Sequence, residues 1–398
     1  QLNVAARWLA LWNNTAAPQL AGAIGTSSDA YQWRPVGKNV NASTAYSWNI
    51  SIPQLPAGTS IWAVNYGDIL VCSNAGFGGT GVSTAWGISL KSESMGQLLW
   101  TSDLTAPIGI TRSTGPMDPE SRVFVTSDKE TMQWSGYSLD NGERLWGPIG
   151  DEADLNYFGA PGSTPAGQVG YVAYGNLYTA GYGGVLYCID LQTGNQVFTY
   201  GNGGEGNTTN SGIDTPWGNY PLFIAAIADG KIYCYNGEHS PNDPMYKGEH
   251  LTCIDAFNGK ELWTLLGWGG VGGFAQQPWP VADGYIVYLN NYDGQIYCLG
   301  KGPSATTVDA PMSGVTAGSV VTIKGTVTDQ SAGAKAKIES GEFSVVAAIS
   351  EKDQSKYMEY IYMQKPMPSN AEGVQVLLTA TSSDGTSYTI GTATSGIG

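Results

Sequence analysis

Gly96-Gln-Leu-Leu-Trp100 is a five-residue stretch that the chain repeats three more times, and this repeat decides the fold. The other copies are Gly142-Glu-Arg-Leu-Trp146, Gly194-Asn-Gln-Val-Phe198 and Gly259-Lys-Glu-Leu-Trp263. Each begins with a turn glycine and ends in an aromatic residue, and the starts are 46, 52 and 65 residues apart. Short strands that repeat at this period predict the blades of a β-propeller.

The composition is typical of an all-β chain with many tight turns. The 398 residues include 55 glycines, 23 tyrosines and 13 tryptophans, while only 13% are charged. Aromatic side chains in this number fill the spaces between packed sheets. The net charge of −15 argues against nucleic acid as a partner, since phosphate binding needs clustered lysine and arginine. The sequence contains no 18-residue apolar run, so it predicts no transmembrane segment.

Five blades can be laid out along the chain, at residues 59–100, 122–146, 170–198, 222–263 and 280–298. The fifth has no outer strand of its own, because the composition changes after residue 299. We expect its open edge to be covered from elsewhere. Residues 7–12 have the pattern of an outer strand that could close the ring, and residues 46–50 have a similar pattern. These partial units predict a ring of six to eight blades.

A second domain is predicted after a short linker at residues 302–307, so that the propeller occupies residues 1–302 and the second domain residues 303–398. Alternating or continuous apolar patterns predict strands at Val320–Val327, Phe343–Ile349, Val374–Thr379 and Ser387–Thr392. They favour an immunoglobulin-like β-sandwich. Only four or five strands are visible where such a sandwich has about seven, so the module is predicted to be incomplete.

The pattern strand–Asp–x–x–[TN]–G–x–x–[LV]–W, fullest at residues 189–198 and 254–263, resembles the repeat of pyrroloquinoline-quinone (PQQ)-type propellers. A narrower resemblance is to large archaeal cell-surface proteins with PQQ-like propellers followed by immunoglobulin-like modules. It rests on three stretches: Gly237–Pro241, Gly302–Thr306 and Tyr357–Pro366. The resemblance implies that the glycine fixes a turn, that the aspartate bonds locally, and that the aromatic residue docks against the neighbouring blade. The residues with this docking role are Trp100, Trp146, Phe198 and Trp263.

The same resemblance does not by itself imply a cofactor, because a fold does not determine a function. Quinone dehydrogenases of this fold resemble one another in a bound calcium, a catalytic aspartate and, in many cases, adjacent cysteines. The chain has no adjacent cysteines, and its scattered carboxylates do not define a calcium cage. We therefore expect no cofactor and no catalytic residue.

The only two histidines lie in one insertion of the fourth blade, each preceded by a glutamate. The four residues Glu238, His239, Glu249 and His250 could converge on a metal ion, such as calcium. The alternative is a hairpin loop whose polar ends happen to match, since geometry rather than spacing decides ligation.

Three tryptophans in glycine-rich segments are candidates for a ligand-binding face at the mouth of the propeller: Trp217, Trp268 and Trp279. Such a face would bind a sugar or a peptide. The alternative, which we favour, is that these rings pack between blades.

Five cysteines lie in or beside repeated strands, and we expect all of them to be buried and unpaired because equivalent positions in different blades are too far apart to bridge. Four sequons favour an exported, glycosylated protein of the cell surface. They begin at Asn13, Asn41, Asn49 and Asn207.

These observations lead us to expect a non-enzymatic extracellular structural protein with a role in scaffolding, adhesion, or assembly of a filament or surface layer. Its expected partners are other copies of itself or neighbouring surface proteins, bound through the C-terminal module, and glycans. An incomplete sandwich exposes unpaired strand edges, which pair readily with a strand from another chain. Two alternatives are a carbohydrate- or protein-binding propeller and a quinoprotein-type oxidoreductase.

Overall fold

The computed structural model describes eight parts of the chain: residues 1–13, 45–74, 82–150, 170–181, 184–201, 222–236, 250–269 and 279–397. They form two compact units, the first comprising the described residues up to 201 and the second those from 222 onward. Six antiparallel sheets of blade type follow one another in chain order within these residues. The all-β class and the blade-type sheets predicted from the sequence are confirmed. The domain boundary at residue 302 stays a prediction.

The first sheet has three strands in the order β1-β2-β3. Its strands are β1 (Leu2–Asn3), β2 (Trp8–Trp12) and β3 (Tyr46–Ser51). The prediction that residues 7–12 supply an outer strand to the fifth predicted blade is wrong. β2 is the middle strand of this sheet and is hydrogen-bonded on both sides, so it has no free edge to offer.

The next four sheets have four strands each, and every strand pairs with the next one along the chain. The second sheet contains β4 (Ser60–Asn65), β5 (Ile69–Ser73), β6 (Thr84–Ser89) and β7 (Leu98–Asp103). The third contains β8 (Arg112–Asp118), β9 (Val123–Asp128), β10 (Gln133–Ser138) and β11 (Arg144–Ile149). The fourth contains β12 (Tyr171–Ala173), β13 (Asn176–Thr179), β14 (Leu186–Asp190) and β15 (Gln196–Tyr200). The fifth contains β16 (Leu222–Ala228), β17 (Lys231–Asn236), β18 (His250–Asp255) and β19 (Glu261–Leu266).

The sixth sheet, which corresponds to the fifth predicted blade, has only three strands. They are β20 (Val281–Ala282), β21 (Tyr285–Asn290) and β22 (Gln295–Gly300). Within the described parts of the chain no strand pairs with the outer edge of β22. This is the reason why the prediction of five buried cysteines is wrong for one of them. Cys298 on β22 is exposed, whereas Cys72, Cys188, Cys234 and Cys253 are buried.

Residues 303–397 hold two small sheets and two helices, and the immunoglobulin-like sandwich predicted for them is not seen. The elements are β23 (Ser304–Thr306), β24 (Val327–Asp329), α1 (Ala332–Glu339), α2 (Gln354–Met363), β25 (Gln375–Thr381) and β26 (Ser387–Thr394), with a 3-10 turn at Glu351–Asp353. The two C-terminal strands match the predicted ones. Of the strand predicted at Val320–Val327, only Val327 lies in a strand, and Phe343–Ile349 pairs only through two isolated bridges.

A small core explains this difference in the C-terminal residues. Val346 and Ile349 pack against Tyr357 and Ile361 of α2, so the apolar run that suggested a strand instead covers a helix. Tyr357 and Ile361 are four residues apart and therefore share one face of the helix. The same helix packs on β19, where Glu359 accepts a hydrogen bond from the backbone N–H of Leu266 at 3.3 Å.

Within the first unit, an indole ring joins each of two sheets to the next one. The Trp100 Nε1–H donates to the carbonyl oxygen of Leu139 at 2.7 Å, and the Trp146 Nε1–H donates to that of Leu191 at the same distance. Both rings are buried, with 6% and 7% of their surfaces exposed. A buried tryptophan needs such a partner for its N–H, and here the partner is the backbone of the following sheet.

Each indole also packs directly against a glycine of its own sheet. Trp100 is opposite Gly87 and Trp146 is opposite Gly136 in the strand register. A carbon atom added at Gly136 would lie 2.2 Å from the indole Cε2 of Trp146, and the distance at Gly87 is 2.3 Å. In the next two sheets cysteine takes the place of glycine, with Cys188 opposite Phe198 and Cys253 opposite Trp263.

The turn of the repeat is fixed by its aspartate. The Asp190 carboxylate accepts hydrogen bonds from the backbone N–H groups of Gln192 and Thr193, at 3.0 and 2.8 Å. Asp255 makes the equivalent bonds to Phe257 and Asn258. The turn glycine then adopts a positive φ, +73° at Gly194, where a side chain would meet the Trp146 ring. The glycine is therefore required twice, for the positive φ of the turn and for the space that the docking ring occupies.

We predict that Gly136→Ala lowers the free energy of unfolding by about 1–3 kcal/mol, because the added methyl group overpacks the Trp146 ring. In the Trp146→Phe background the same change should cost less than about 1 kcal/mol, since the smaller ring leaves room. Chemical denaturation of the wild type, the two single variants and the double variant gives the coupling energy between positions 136 and 146. Gly314→Ala is the control, because a carbon added there meets nothing within 4 Å. Equal costs in both backgrounds would contradict the proposed packing.

Candidate functional site

The predicted ligand-face tryptophans that the structure describes are packed in the second unit. Trp268 and Trp279 are 8% and 5% exposed. Trp279 donates its indole N–H to the Gly269 carbonyl at 3.1 Å, and its ring lies 5.3 Å from that of Tyr288. This arrangement corresponds to the packing alternative and leaves neither ring face open to a ligand. Trp217 lies outside the described residues.

Of the four predicted metal ligands, only His250 lies within the described residues. It is the first residue of β18 and is half-buried, and its backbone N–H donates to the side-chain Oδ1 of Asn236 at 3.2 Å. Glu238, His239 and Glu249 lie outside the described residues. The described parts of the chain contain no group of three or more histidine, cysteine or carboxylate side chains that could hold a metal. The metal site stays a prediction.

Two of the four sequon asparagines are described, and both are exposed. Asn13 follows β2, and Asn49 lies on the outer strand β3 of the first sheet. Both positions are accessible for a glycan. Asn41 and Asn207 lie outside the described residues.

The docking residues of the two later sheets are less buried than those of the first two. Phe198 and Trp263 are half-buried, and the Trp263 ring lies 6.1 Å from that of Tyr233. Trp263 thus packs within its own sheet, and it lies on β19, the strand that α2 contacts. None of the four docking residues is fully exposed.

A buried ion pair in the third sheet was not found from the sequence. Arg112 donates from Nε and Nη2 to the two carboxylate oxygens of Asp128, at 2.6 and 2.7 Å, and both side chains are less than one-tenth exposed. Hydrogen bonding to Asp128 raises the pKa of Arg112, although burial acts against it. Arg112 and Asp128 are 16 residues apart, and only their pairing on adjacent strands brings them together.

An open pocket of about 470 Å³ lies beside this ion pair. Its lining includes Arg112, Asp103, Glu143 and Arg144. Because the walls carry both signs of charge, the pocket has no evident preference for anions or cations. The arrangement can stabilise the sheet, but it does not define a catalytic centre.

The most unusual surface of the second unit is the outer edge of β22. Ile296 is 75% exposed, whereas the equivalent leucines of the two preceding sheets, Leu186 and Leu251, are completely buried. Cys298 is exposed as well. An edge strand of this kind presents a row of unpaired backbone N–H and C=O groups.

A second exposed surface is the C-terminal hairpin of β25 and β26. These strands pair only with each other among the described residues, and most of their side chains on both faces are exposed. The exposed apolar residues include Leu377, Tyr388 and Ile390. An isolated two-stranded hairpin is only marginally stable in water, since it has no third strand or packed face.

The consecutive four-stranded antiparallel sheets place the protein in the class of PQQ-like β-propeller repeat proteins. The family model described as Outer membrane protein assembly factor BamB matches residues 135–353, which is more than half of the chain. The chain therefore belongs to this family. Within the described residues no helix is both long and apolar enough to cross a membrane.

Solved structures with similar sheets share little sequence with the chain. BamB from Moraxella catarrhalis is 14% identical with a TM-score of 0.36, and the match covers 61% of this chain and 62% of that one. A quinohemoprotein alcohol dehydrogenase from Pseudomonas putida HK5 is 12% identical with a TM-score of 0.35, over 62% of this chain and 44% of that one. The computationally designed Ika4 protein is 11% identical with a TM-score of 0.31, over 52% of this chain and 100% of that one. Similarity at this level carries no information on function. The comparison with curated proteins gives no match.

We predict that only Cys298 reacts with a maleimide at pH 8 in the monomeric native chain. Burial raises the pKa of Cys72, Cys188 and Cys253 to about 12, and it also raises that of Cys234, so these thiols stay protonated and covered. Mass spectrometry should find one label on the native chain and five after denaturation. Cys298→Ser should abolish the native label, and rapid labelling of a second cysteine would contradict the structure.

We also predict that Asp128→Ala lowers the free energy of unfolding by about 3–5 kcal/mol, because it leaves the buried Arg112 without its counter-charge. The control is Asp140→Ala, which removes the partner of Arg122 at the surface, where the Asp140 side chain is 64% exposed. This change should cost less than about 1 kcal/mol. Chemical denaturation gives the loss of unfolding free energy in each variant. Similar losses in both would show that the Arg112–Asp128 pair is no better shielded from water than the surface pair.

Proposed function

We propose that the chain is a non-enzymatic structural protein of the cell exterior, of the archaeal surface type that its sequence resembles, and that it assembles with copies of itself through its C-terminal module. One observation carries this proposal. The β25–β26 hairpin exposes Leu377, Tyr388 and Ile390 and has unpaired edges among the described residues. Exposed apolar strands of this kind mark sites where another chain binds.

The chemistry of the described interior supports a structural role. Its buried thiols are poor nucleophiles, since burial raises their pKa values. The buried Arg112–Asp128 pair is bidentate, so both carboxylate oxygens are already engaged. The buried Trp100 and Trp146 rings join neighbouring sheets.

A location outside the cytoplasm is supported by two observations. Asn13 and Asn49 are exposed within sequons, where we propose that glycans are attached. The name of the matching family, Outer membrane protein assembly factor BamB, also refers to proteins that act at a cell envelope. From this family name we carry over only the location at the cell envelope. We propose that this chain lies on the extracellular side.

Light scattering and electron microscopy of the purified 398-residue chain test this function. We expect ordered oligomers or filaments whose fraction rises with protein concentration. A chain that stays monomeric at all concentrations would contradict the proposal. Dye-linked oxidation of alcohols after addition of pyrroloquinoline quinone and Ca²⁺ would contradict it as well, because it would establish the oxidoreductase alternative.

A further inference from the structure

Among the described residues the sixth sheet has three strands, whereas its two predecessors in the chain have four. The central residues of β14, β18 and β22 correspond, so that Cys298 is equivalent to Cys188 and Cys253. In the complete sheets an aromatic residue of the fourth strand lies opposite this cysteine. On β22 the same cysteine is exposed. The missing strand would therefore have to bring an aromatic residue to the position opposite Cys298.

The complete sheets also show what surrounds that aromatic residue. Threonine follows it in three of them, at Trp100-Thr101, Phe198-Thr199 and Trp263-Thr264. Next come residues that continue the outer strand for one to two further positions. The strand that completes the sixth sheet should therefore be extended, antiparallel to β22, and built around an aromatic–threonine pair.

β26 has this sequence and leaves it exposed. Tyr388 is followed by Thr389 near the start of the strand, and Tyr388 is 57% exposed. The strand continues for eight residues, which is sufficient to pair with the six of β22. Its partner on one side is β25, and among the described residues its other side is unpaired.

Neither edge carries a charged side chain or a proline, two of the features that normally prevent strands from pairing. β26 does have a bulge at Ile390, in its pairing with β25. Gln295–Gly300 and Ser387–Thr394 contain no charged residue and no proline. Natural edge strands are usually protected by lysine, proline, a bulge or a covering segment. The chain as a whole has a net charge of −15, so an uncharged edge is also where two copies can approach with the least repulsion.

We propose that β26 of a second copy of the chain pairs antiparallel with β22 and places its Tyr388 opposite Cys298. The second copy is required because β22 and β26 lie in separate sheets of the same unit and do not pair within one chain. The contact joins two different surfaces, so a joined pair of copies still has one free β22 in one copy and one free β26 in the other. Such heterologous contacts propagate into open-ended assemblies. This inference rests on the proposed function and names the contact through which assembly occurs.

Oxidative cross-linking tests the register. In Tyr388→Cys, mild oxidation should link the new thiol to Cys298 of another copy and give a ladder of disulfide-linked oligomers on a non-reducing gel. The additional change Cys298→Ser should abolish the ladder. Thr389→Cys is the matched control, because adjacent residues of a strand point to opposite faces. Equal linkage from Thr389→Cys would overturn the register, and a disulfide formed within a single chain would overturn the second copy as the occupant.

A charge on the edge gives a test that does not depend on removing Tyr388. Ile296→Lys should abolish assembly, as measured by light scattering, because a lysine on an edge strand blocks the addition of another strand. The fold should be retained, since the Ile296 side chain is exposed. Ile108→Lys, at a fully exposed loop position, should assemble like the wild type. If the wild type assembles and Ile296→Lys does so equally, this contact is overturned while the proposed function stands. If the wild type itself never assembles, the proposed function fails.

Discussion

An aromatic ring held between two neighbouring sheets is the interaction on which the rest of the first unit depends. The Trp100 and Trp146 rings each cover a glycine of their own sheet and donate a hydrogen bond to the backbone of the next one. This double requirement explains why the repeat keeps an aromatic residue four positions after a turn glycine. It also explains why a small residue, Gly87 or Gly136, stands opposite the ring, since any side chain there would occupy the same space.

The sixth sheet departs from this constraint, and its departure suggests how the protein works. β22 has the cysteine that accommodates an aromatic ring, but no outer strand provides the ring among the described residues. At the same time β26 exposes Tyr388 on a hairpin that lacks a packed face. Unpaired strands are a liability in a monomer. They become useful when copies of a protein have to join. In that case the exposed edge of β22 and the exposed strand β26 are the two halves of one contact between copies.

Much of the fold could be predicted from the sequence, because buried strands such as Ile69–Ser73 and the turn motif at Asp190 are local signals. β8 was missed because Gly115 and Pro116 interrupt its pattern, and it lies at an edge where proline is tolerated. The ion pair of Arg112 could not be predicted, since it depends on the pairing of β8 with β9. The helix at Gln354–Met363 was missed because its polar residues masked the shared face of Tyr357 and Ile361. Of the predicted aromatic site residues, Trp100, Trp146, Trp268 and Trp279 are buried, and Phe198 and Trp263 are half-buried. Trp217 and three of the four predicted metal ligands lie outside the described residues.

The central claim is that the open edge of β22 is completed by another copy of the chain. Backbone hydrogen exchange, measured by mass spectrometry on peptides that contain residues 295–300, tests it most directly because it reports on the edge amides without a substitution. We expect the amides of this segment that are not bonded to β21 to exchange rapidly in the monomer and to become protected in the assembled protein, together with the amides of residues 387–394 that are not bonded to β25. Assembly that leaves the exchange of both segments unchanged would contradict the account.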